Sequence, residues 1–216
     1  MADRVVVCAG TRKGLFIFES DRSRSRWSAR GPLLKGWQIY HAGVDVRSKP
    51  RLYAAAANDA FGTTVFQGGL SGKDLKGAER PPVPPKLLPS QRKFFKEFGI
   101  ASTPRVWHVE PGHASEPEVL YAGTAPAGLF RSEDRGRTWE EVKGLTRHPT
   151  RPSWTPGAGG MCLHSIQIDP ADRRRMYVAI SSAGAFRTED GGKTWRVINE
   201  GLARLPGDPK ETAAGS

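Results

Sequence analysis

His41, His108 and His164 are three of the five histidines in the chain, and their spacing is regular. Each lies 11 or 12 residues before a predicted strand that begins with Leu-Tyr or Met-Tyr. Imidazoles that converge from equivalent strands could bind an anionic ligand or hold a metal ion. The alternative is structural hydrogen bonding between neighbouring sheets, which we favour over a metal site. A register slip of one residue would turn an imidazole to the opposite face.

The segment "HPTRPSWTPGAGGMCLH" (148–164) brings an arginine and a tryptophan close to the third of these histidines. An exposed indole beside a guanidinium can bind a sugar ring or a carboxylate. We therefore treat Arg151 and Trp154, together with the three histidines, as candidate ligand-binding residues.

Carboxylates that could act as catalytic acids are present, but no spacing singles out a pair. Asp59 and Glu110 are the candidates, with Asp45 as a third. The catalytic residues are therefore unassigned, and no cofactor is expected.

The elements that position these side chains are indicated by a repeated nonapeptide. It occurs as "RSEDRGRTW" (131–139) and "RTEDGGKTW" (187–195), 56 positions apart. The similarity extends without a gap upstream of both copies, and weaker copies occur at residues 4–27 and 51–69. Internal repetition at this period is typical of propellers and solenoids.

Each full copy has the composition of a β-turn that is held by hydrogen bonds from its own side chains. The short polar side chains accept hydrogen bonds from backbone N–H groups, the glycine permits a positive φ, and the indole packs on the sheet. None of these groups is chemically reactive, so we predict a structural role for all of them. They are Ser132, Asp134, Gly136 and Trp139 in one copy and Thr188, Asp190, Gly192 and Trp195 in the other.

The pattern S/T-x-D-x-G-x-T-W resembles the Asp-box, or BNR, repeat of sialidases, Vps10-type receptor domains and bacterial exo-sialidase-like propellers. The resemblance covers residues 1–200 and implies an all-β fold, a β-propeller of four-stranded antiparallel blades. We count about three and a half to four blades, because the first unit begins at its second strand. Propellers of this type resemble six- or seven-bladed rings, so the chain is interpreted as a truncated or short member.

We expect one propeller or partial propeller domain at 1–200, with a long insertion at 78–103 and a polar tail at 201–216. Within the insertion, "SQRKFFKEF" (90–98) predicts a short amphipathic helix over the channel mouth. An incomplete ring would expose sheet edges and apolar faces, which favours self-association. A closed four-bladed ring is the competing possibility.

Composition restricts the partners. The net charge is +11, and the charge is spread rather than concentrated in a nucleic-acid motif, so nucleic-acid binding is not expected. No apolar run reaches the roughly 20 residues of a spanning helix, so no membrane partner is expected. Cys8 and Cys162 lie in apolar stretches, which favours two reduced thiols and a cytoplasmic protein.

Three functions stay open on these grounds. The first is a propeller without assigned activity that binds a small anionic or carbohydrate-like ligand, or a protein, on the channel face opposite the repeated turns. The second is a sialidase-like glycoside hydrolase, although the tyrosine–glutamate pair and arginine triad of that family cannot be assembled here. The third is a metal-dependent enzyme that uses His41, His108 and His164.

Overall fold

The computed structural model describes residues 4–99, 103–156, 160–181 and 183–201. In that part of the chain the strands form four antiparallel sheets in chain order, which we call blades 1 to 4. Blade 1 contains β1 (Arg4–Thr11), β2 (Gly14–Asp21) and β3 (Ser28–Leu33), and blade 2 contains β4 (Gln38–Asp45), β5 (Arg51–Asn58), β6 (Gly62–Gly69) and β7 (Lys76–Gly77). Blade 3 contains β8 (Arg105–Pro111), β9 (Leu120–Ala125), β10 (Leu129–Ser132) and β11 (Glu140–Glu141). Blade 4 contains β12 (Leu163–Asp169), β13 (Asp172–Ile180), β14 (Gly184–Thr188) and β15 (Arg196–Val197).

The helical elements lie in the connections between blades. They are α1 (Pro89–Glu97), α2 (Lys143–Thr146) and a short 3₁₀ turn (Arg151–Ser153). The predicted helix in the insertion is therefore present. No helix within the described ranges is long and apolar enough to span a bilayer.

Within the described residues, blade 1 has three strands and no counterpart of the innermost strand that the other three blades have. β1 pairs with β2 and packs against β4, as β5 pairs with β6 and packs against β8. β1 is thus equivalent to a second strand, and the sequence prediction that the chain enters blade 1 at that strand is confirmed.

Three apolar clusters lie between consecutive blades and hold them together. The first is centred on Leu15 and Leu52 of blades 1 and 2, the second on Tyr53 and Leu120 of blades 2 and 3. The third joins blades 3 and 4 around Tyr121 and the insertion. No cluster of described residues joins blade 4 to blade 1, so the blades form an open arc rather than the closed four-bladed ring.

The two repeated turns, which we call the box corners, have the same hydrogen bonds. In the corner of blade 3, Gly136 N donates to Ser132 Oγ at 2.8 Å, and Thr138 N donates to Asp134 Oδ1 at 2.9 Å. The Trp139 indole closes the turn by donating to Gly136 O at 3.0 Å. Gly136 has a φ of 87°, the left-handed conformation that favours glycine.

The corner of blade 4 repeats this arrangement. Gly192 N donates to Thr188 Oγ1 at 3.0 Å, and the Trp195 indole donates to Gly192 O at 3.1 Å. The Thr194 hydroxyl donates to Asp190 Oδ2 at 2.6 Å, and this bond is the main reason that the pKa of Asp190 is lowered to about 2. The predicted structural role of both sets of residues agrees with these bonds, in which every side chain holds the backbone of its own turn.

The insertion packs on the connection that follows blade 3. Gln91 of α1 is buried and donates through Nε2 to Arg151 O at 3.1 Å and to Trp154 O at 3.2 Å. Phe95 of the same helix belongs to the apolar cluster between blades 3 and 4. Helix α1 and this connection therefore lie together near Ala127, at the end of blade 3 opposite its box corner. The start of the insertion lies at the box corner itself, where Glu79 N and Arg80 N donate to Arg137 O at 2.8 and 3.1 Å.

Candidate functional site

A bulge at the same height in each innermost strand determines where the histidines lie. The pairing with the second strand shifts between Ile39 and His41, between Val106 and His108, and between Leu163 and Ser165. The extra residue in each strand is therefore Tyr40, Trp107 or His164 in turn. His41 and His108 are equivalent to each other and to Ser165, and His164 is one residue out of register.

His41 and His108 contact each other across the interface between blades 2 and 3. Their ring centroids are 4.2 Å apart. Val109 N donates to His41 Nδ1 at 3.3 Å, and burial, followed by the charge of His108, lowers the pKa of His41 to about 4. His108 Nε2 lies 3.1 Å from Glu110 Oε2. The predicted convergence thus occurs for two of the three histidines, and Glu110 joins them.

His164 lies at the edge of this group. It is exposed, and its Nδ1 is 2.9 Å from Ser165 Oγ. Burial of part of the ring and the proximity of His108 lower its pKa. Among the residues that the structure describes, no group of three or more His, Cys, Asp or Glu side chains could hold a metal ion, so the metal alternative gains no support.

An aromatic pair with an arginine above it lies beside the histidines, and sequence reasoning missed it. The rings of Tyr40 and Trp107 are 5.6 Å apart. The guanidinium carbon of Arg105 lies 5.0 Å from the Tyr40 centroid and 5.8 Å from the Trp107 centroid. All three side chains are half-buried. The signal was present in the dipeptides Tyr40-His41 and Trp107-His108, in which an aromatic residue precedes each equivalent histidine.

Arg105 has its terminal amino groups available. Its Nε donates to Thr103 O at 3.2 Å, whereas neither Nη donates to any residue in the described ranges. The rings below it orient the guanidinium without neutralising its charge. We call Tyr40, His41, Arg105, Trp107 and His108, with Glu110, the inner-face site.

The prediction that Arg151 and Trp154 form an exposed platform is wrong. Trp154 is 1% exposed and Arg151 is 7% exposed. The indole packs on Phe186 and donates to Thr150 Oγ1 at 3.0 Å, and the guanidinium stacks on the indole and donates to Ala127 O at 3.1 Å. The connection folds back onto blades 3 and 4 and is covered by α1, so both side chains are core residues.

Asp59 does not join the site. It is exposed in the turn between β5 and β6 and makes no hydrogen bond or ion pair with a described residue. Glu110 is consequently the one candidate acid that the structure places beside the histidines. A pair of carboxylates is not assembled there from the described part of the chain.

The two cysteines are free thiols. Cys162 is buried, whereas Cys8 is half-buried, and burial raises its pKa. The cytoplasmic location inferred from them stays a prediction, as do the domain bounds at 1–200 and the tail, of which residues 202–216 lie outside the described ranges.

Comparison with known proteins supports the same fold class. A probable oligoxyloglucan-reducing end-specific xyloglucanase of Neosartorya fischeri is 34% identical over 97 residues, 44% of this chain and 10% of that protein. Vacuolar protein sorting/targeting protein 10 of Colletotrichum graminicola is 32% identical over 83 residues, 38% of this chain and 5% of that protein. The chain thus spans a tenth or less of these curated relatives. No protein-family model matches it.

Solved structures show the likeness over most of the chain. The GH74 xyloglucanase from Xanthomonas campestris matches with a TM-score of 0.54 and 17% identity, covering 89% of this chain and 27% of that chain. YCF48 from Cyanidioschyzon merolae matches with a TM-score of 0.53 and 14% identity, covering 89% and 55%. The chain has the fold of part of a β-propeller, and it is similar to parts of proteins that include xyloglucanases.

Proposed function

We propose that the inner-face site binds a carbohydrate-like ligand that carries a carboxylate. The observation that carries the proposal is the guanidinium of Arg105, held over Tyr40 and Trp107 with both terminal amino groups unengaged by described residues. A guanidinium binds carboxylates through two parallel hydrogen bonds, which is the geometry that an acidic sugar offers.

The aromatic pair supports a sugar rather than a simple inorganic anion. Tyrosine and tryptophan offer an apolar ring face together with a polar edge, and a sugar ring has the matching combination of C–H face and hydroxyl rim. Tyr40 Oη also donates to Gln38 Oε1 at 2.9 Å, which fixes the orientation of that ring.

The polar groups beside the Tyr40–Trp107 pair can bind the hydroxyls of a sugar. His41 is neutral near pH 7 because its pKa is about 4, so it adds no charge at the site. The His108–Glu110 pair offers both a nitrogen and a carboxylate oxygen to a hydroxyl that lies between the blades. The net charge of +11 favours the approach of an anionic ligand from a distance.

Glycoside hydrolysis is the second candidate, supported by the names of the xyloglucanase relatives. Hydrolysis of a glycosidic bond requires two carboxyl groups on opposite sides of that bond. Glu110 supplies one, and Asp59 is exposed in a turn outside the site. Binding without turnover is therefore the function that the geometry supports better.

The test is a glycan array that contains acidic and neutral oligosaccharides, followed by calorimetry with the best acidic ligand. We expect binding to acidic glycans, and we expect Arg105→Ala and Trp107→Ala each to weaken it at least about tenfold, the equivalent of about 1.4 kcal/mol. Arg173→Ala is the matched control, because Arg173 is the second residue of β13 and lies on the box-corner side of blade 4.

Three results would count against the proposal. They are the absence of binding to every acidic glycan, equal loss in the Arg173 control, and binding to a protein partner that survives both substitutions. Turnover of a bound glycan that is abolished by Glu110→Gln would instead favour the hydrolase.

A further inference from the structure

A cleft with a volume of about 410 Å³ lies between the box corner of blade 3 and the adjoining end of blade 2. Its lining includes Arg51 at the start of β5 and Arg135 and Arg137 in the box corner. The cleft is separate from the inner-face site, since Arg51 lies at one end of β5 and the bulge at Tyr40 lies towards the other end. Three arginines thus meet at a place to which no role has been given.

Arg51 has no carboxylate partner in the described part of the chain. Its Nη2 donates to the amide oxygen of Gln67, its Nη1 donates to no described residue, and its Nε is buried without an acceptor. Asp45 pairs with Arg51 in the register of β4 and β5, but its carboxylate is bound by Arg47 at 2.8 and 3.0 Å. A half-buried guanidinium is therefore left with unused donors, which is uncommon in a folded protein.

The equivalent arginine of blade 4 is neutralised, so the unpaired state belongs to blade 2 and not to the repeat. Arg175 is equivalent to Arg51, since each begins the Arg-Leu-Tyr or Arg-Met-Tyr sequence of a second strand. Arg175 binds Asp169 at 2.9 Å and lies 3.7 Å from Glu189. Gly69 has the position of Glu189 in blade 2, because each follows the third-strand residue that pairs with the Leu or Met of that sequence.

Arg135 has a backbone conformation that favours glycine. Its φ is 61°, and the equivalent residue in the corner of blade 4 is Gly191, with a φ of 76°. Strain of this kind concentrates at binding sites, where the surrounding structure maintains it. Arg135 Nη2 binds Glu118, whereas its Nε is buried without an acceptor and its Nη1 donates to no described residue. The strained turn thus presents a second guanidinium with unused donors to the cleft.

A buried hydroxyl lies near the same two arginines. Tyr53 is 3% exposed, and its Oη has no hydrogen-bond partner among the residues that the structure describes. Burial, followed by the charge of Asp45, raises the pKa of Tyr53, and the charges of Arg51, Arg47 and Arg135 act against this rise. Three side chains therefore bring buried donors without acceptors to one interface between blades.

The carboxylates that line the cleft are already engaged. Glu118 is bound by Arg135, and Glu133 is bound by Arg131, which is not part of the lining. The oxygens of Asp134 accept hydrogen bonds within the box corner itself. None of these groups is the partner of the Arg51 guanidinium.

We propose that this cleft binds the phosphate group of a small molecule, held by Arg51 and Arg135 with Arg137 at the rim. Arg137 is exposed and comes no closer than 3.9 Å to a carboxylate, so the cleft offers two guanidinium groups, those of Arg51 and Arg137, without a close counter-ion. A phosphate monoester carries a charge of about −1.5 to −2 at pH 7 and three acceptor oxygens, which suits several guanidinium groups better than a carboxylate does. The volume of the cleft is within the range of small-molecule sites, so a group attached to the phosphate also fits.

The test is calorimetry with inorganic phosphate and with glucose 6-phosphate, at constant ionic strength in a chloride buffer. We expect the wild type to bind, and we expect Arg51→Met, which keeps most of the side-chain stem, to bind at least about tenfold more weakly. Arg175→Met is the matched control, because it removes the equivalent arginine of blade 4, which carboxylates already neutralise. This control should bind phosphate as the wild type does.

Two further variants separate a binding role from a structural one. Gln67→Glu gives Arg51 the carboxylate that it lacks without changing the size of the side chain, so it should weaken phosphate binding as Arg51→Met does while the midpoint of thermal unfolding does not fall. Arg135→Gly should also weaken binding, and it should raise that midpoint because glycine relieves the left-handed conformation. Midpoints measured without phosphate, together with circular dichroism, check that each variant is folded.

Tighter binding of glucose 6-phosphate than of inorganic phosphate would support a phosphate monoester as the ligand, and the reverse order would support the free anion. Absence of binding to both compounds at millimolar concentration would overturn the proposal. Equal weakening in Arg175→Met would show that phosphate responds to the net charge and not to this cleft. Binding that is lost in Arg105→Ala and retained in Arg51→Met would place the anion at the inner-face site, which would overturn this proposal and leave the proposed function intact.

Discussion

His41 illustrates how one atom links the inner-face site to folding. Its Nδ1 accepts the hydrogen bond from Val109 N of the next blade, and this requires the ring to be unprotonated at that atom. Burial between the blades, followed by the charge of His108, lowers the pKa of His41, and the neutral ring can then accept this bond. Protonation would remove the acceptor and place a charge beside His108.

This contact predicts a pH dependence of stability. The pKa of His41 is about 4 in the folded protein and 6.5 ordinarily, so between these values the unfolded chain binds more protons. The contribution of His41 is fully present above pH 6.5 and is lost as the pH falls towards 4. In His41→Asn, which keeps an acceptor but does not titrate, the free energy of unfolding should change less between pH 7 and pH 4.5.

Urea unfolding at the two pH values measures this difference. A His41 ring whose NMR signals titrate near pH 6.5, or an Asn variant with the same pH dependence as the wild type, would contradict the assignment.

The box corners were predictable from sequence because every bond in them is local. Each side chain contacts backbone within about four residues, so the residue types and their spacing determine the turn. The innermost strands were not predictable in the same way. The bulge that makes Ser165, rather than His164, equivalent to His108 is visible in the pairing of β12 with β13 and not in either strand alone.

Because the two box corners have equivalent hydrogen bonds, we expect equivalent substitutions in them to cost the same stability. Asp134→Ala and Asp190→Ala each remove an acceptor of several hydrogen bonds, and each should lower the free energy of unfolding by about 2 kcal/mol. Because the bonds are the same in both corners, the two losses should agree within about 0.5 kcal/mol. Chemical denaturation of the single variants measures them.

Asp59→Ala provides the control, since this exposed aspartate makes no described hydrogen bond, and its effect should stay within about 0.5 kcal/mol. A loss confined to one corner would mean that the two turns differ in their role despite their shared geometry.

For the whole molecule, the repeat predicts blades and their order, whereas the route of the long connections depends on tertiary packing. Trp154 was expected at the surface as part of an exposed indole–guanidinium pair with Arg151. It is buried because the connection meets α1, 60 residues earlier in the chain, through Gln91 and Arg151. No local pattern encodes a contact of that range. The stacking of Arg105 on Tyr40 and Trp107 likewise depends on strands from two blades.

The stability of the arc should depend on its middle interface, where Arg47 of blade 2 binds three carbonyl groups of blade 3. Its guanidinium donates to His113 O, Glu116 O and Val119 O at 2.8 to 3.1 Å, and it pairs with Asp45 at 2.8 Å. Both side chains are nearly buried, at 12% and 5% exposure.

Arg47→Met would remove three hydrogen bonds across the interface and leave the buried carboxylate of Asp45 without its charged partner. The three carbonyls and the carboxylate keep their backbone N–H donors, so the loss comes from the removed guanidinium, and we expect about 3 kcal/mol in the free energy of unfolding. Because the main contacts of each blade in the described ranges are with adjacent blades, the unfolding transition should also broaden as the two halves of the arc uncouple. Arg173→Met, which breaks an ion pair to Glu116 from a side chain that is 59% exposed, should cost less than about 1 kcal/mol. Urea denaturation followed by tryptophan fluorescence measures both, and equal losses in the two variants would show that Arg47 does not hold the blades together.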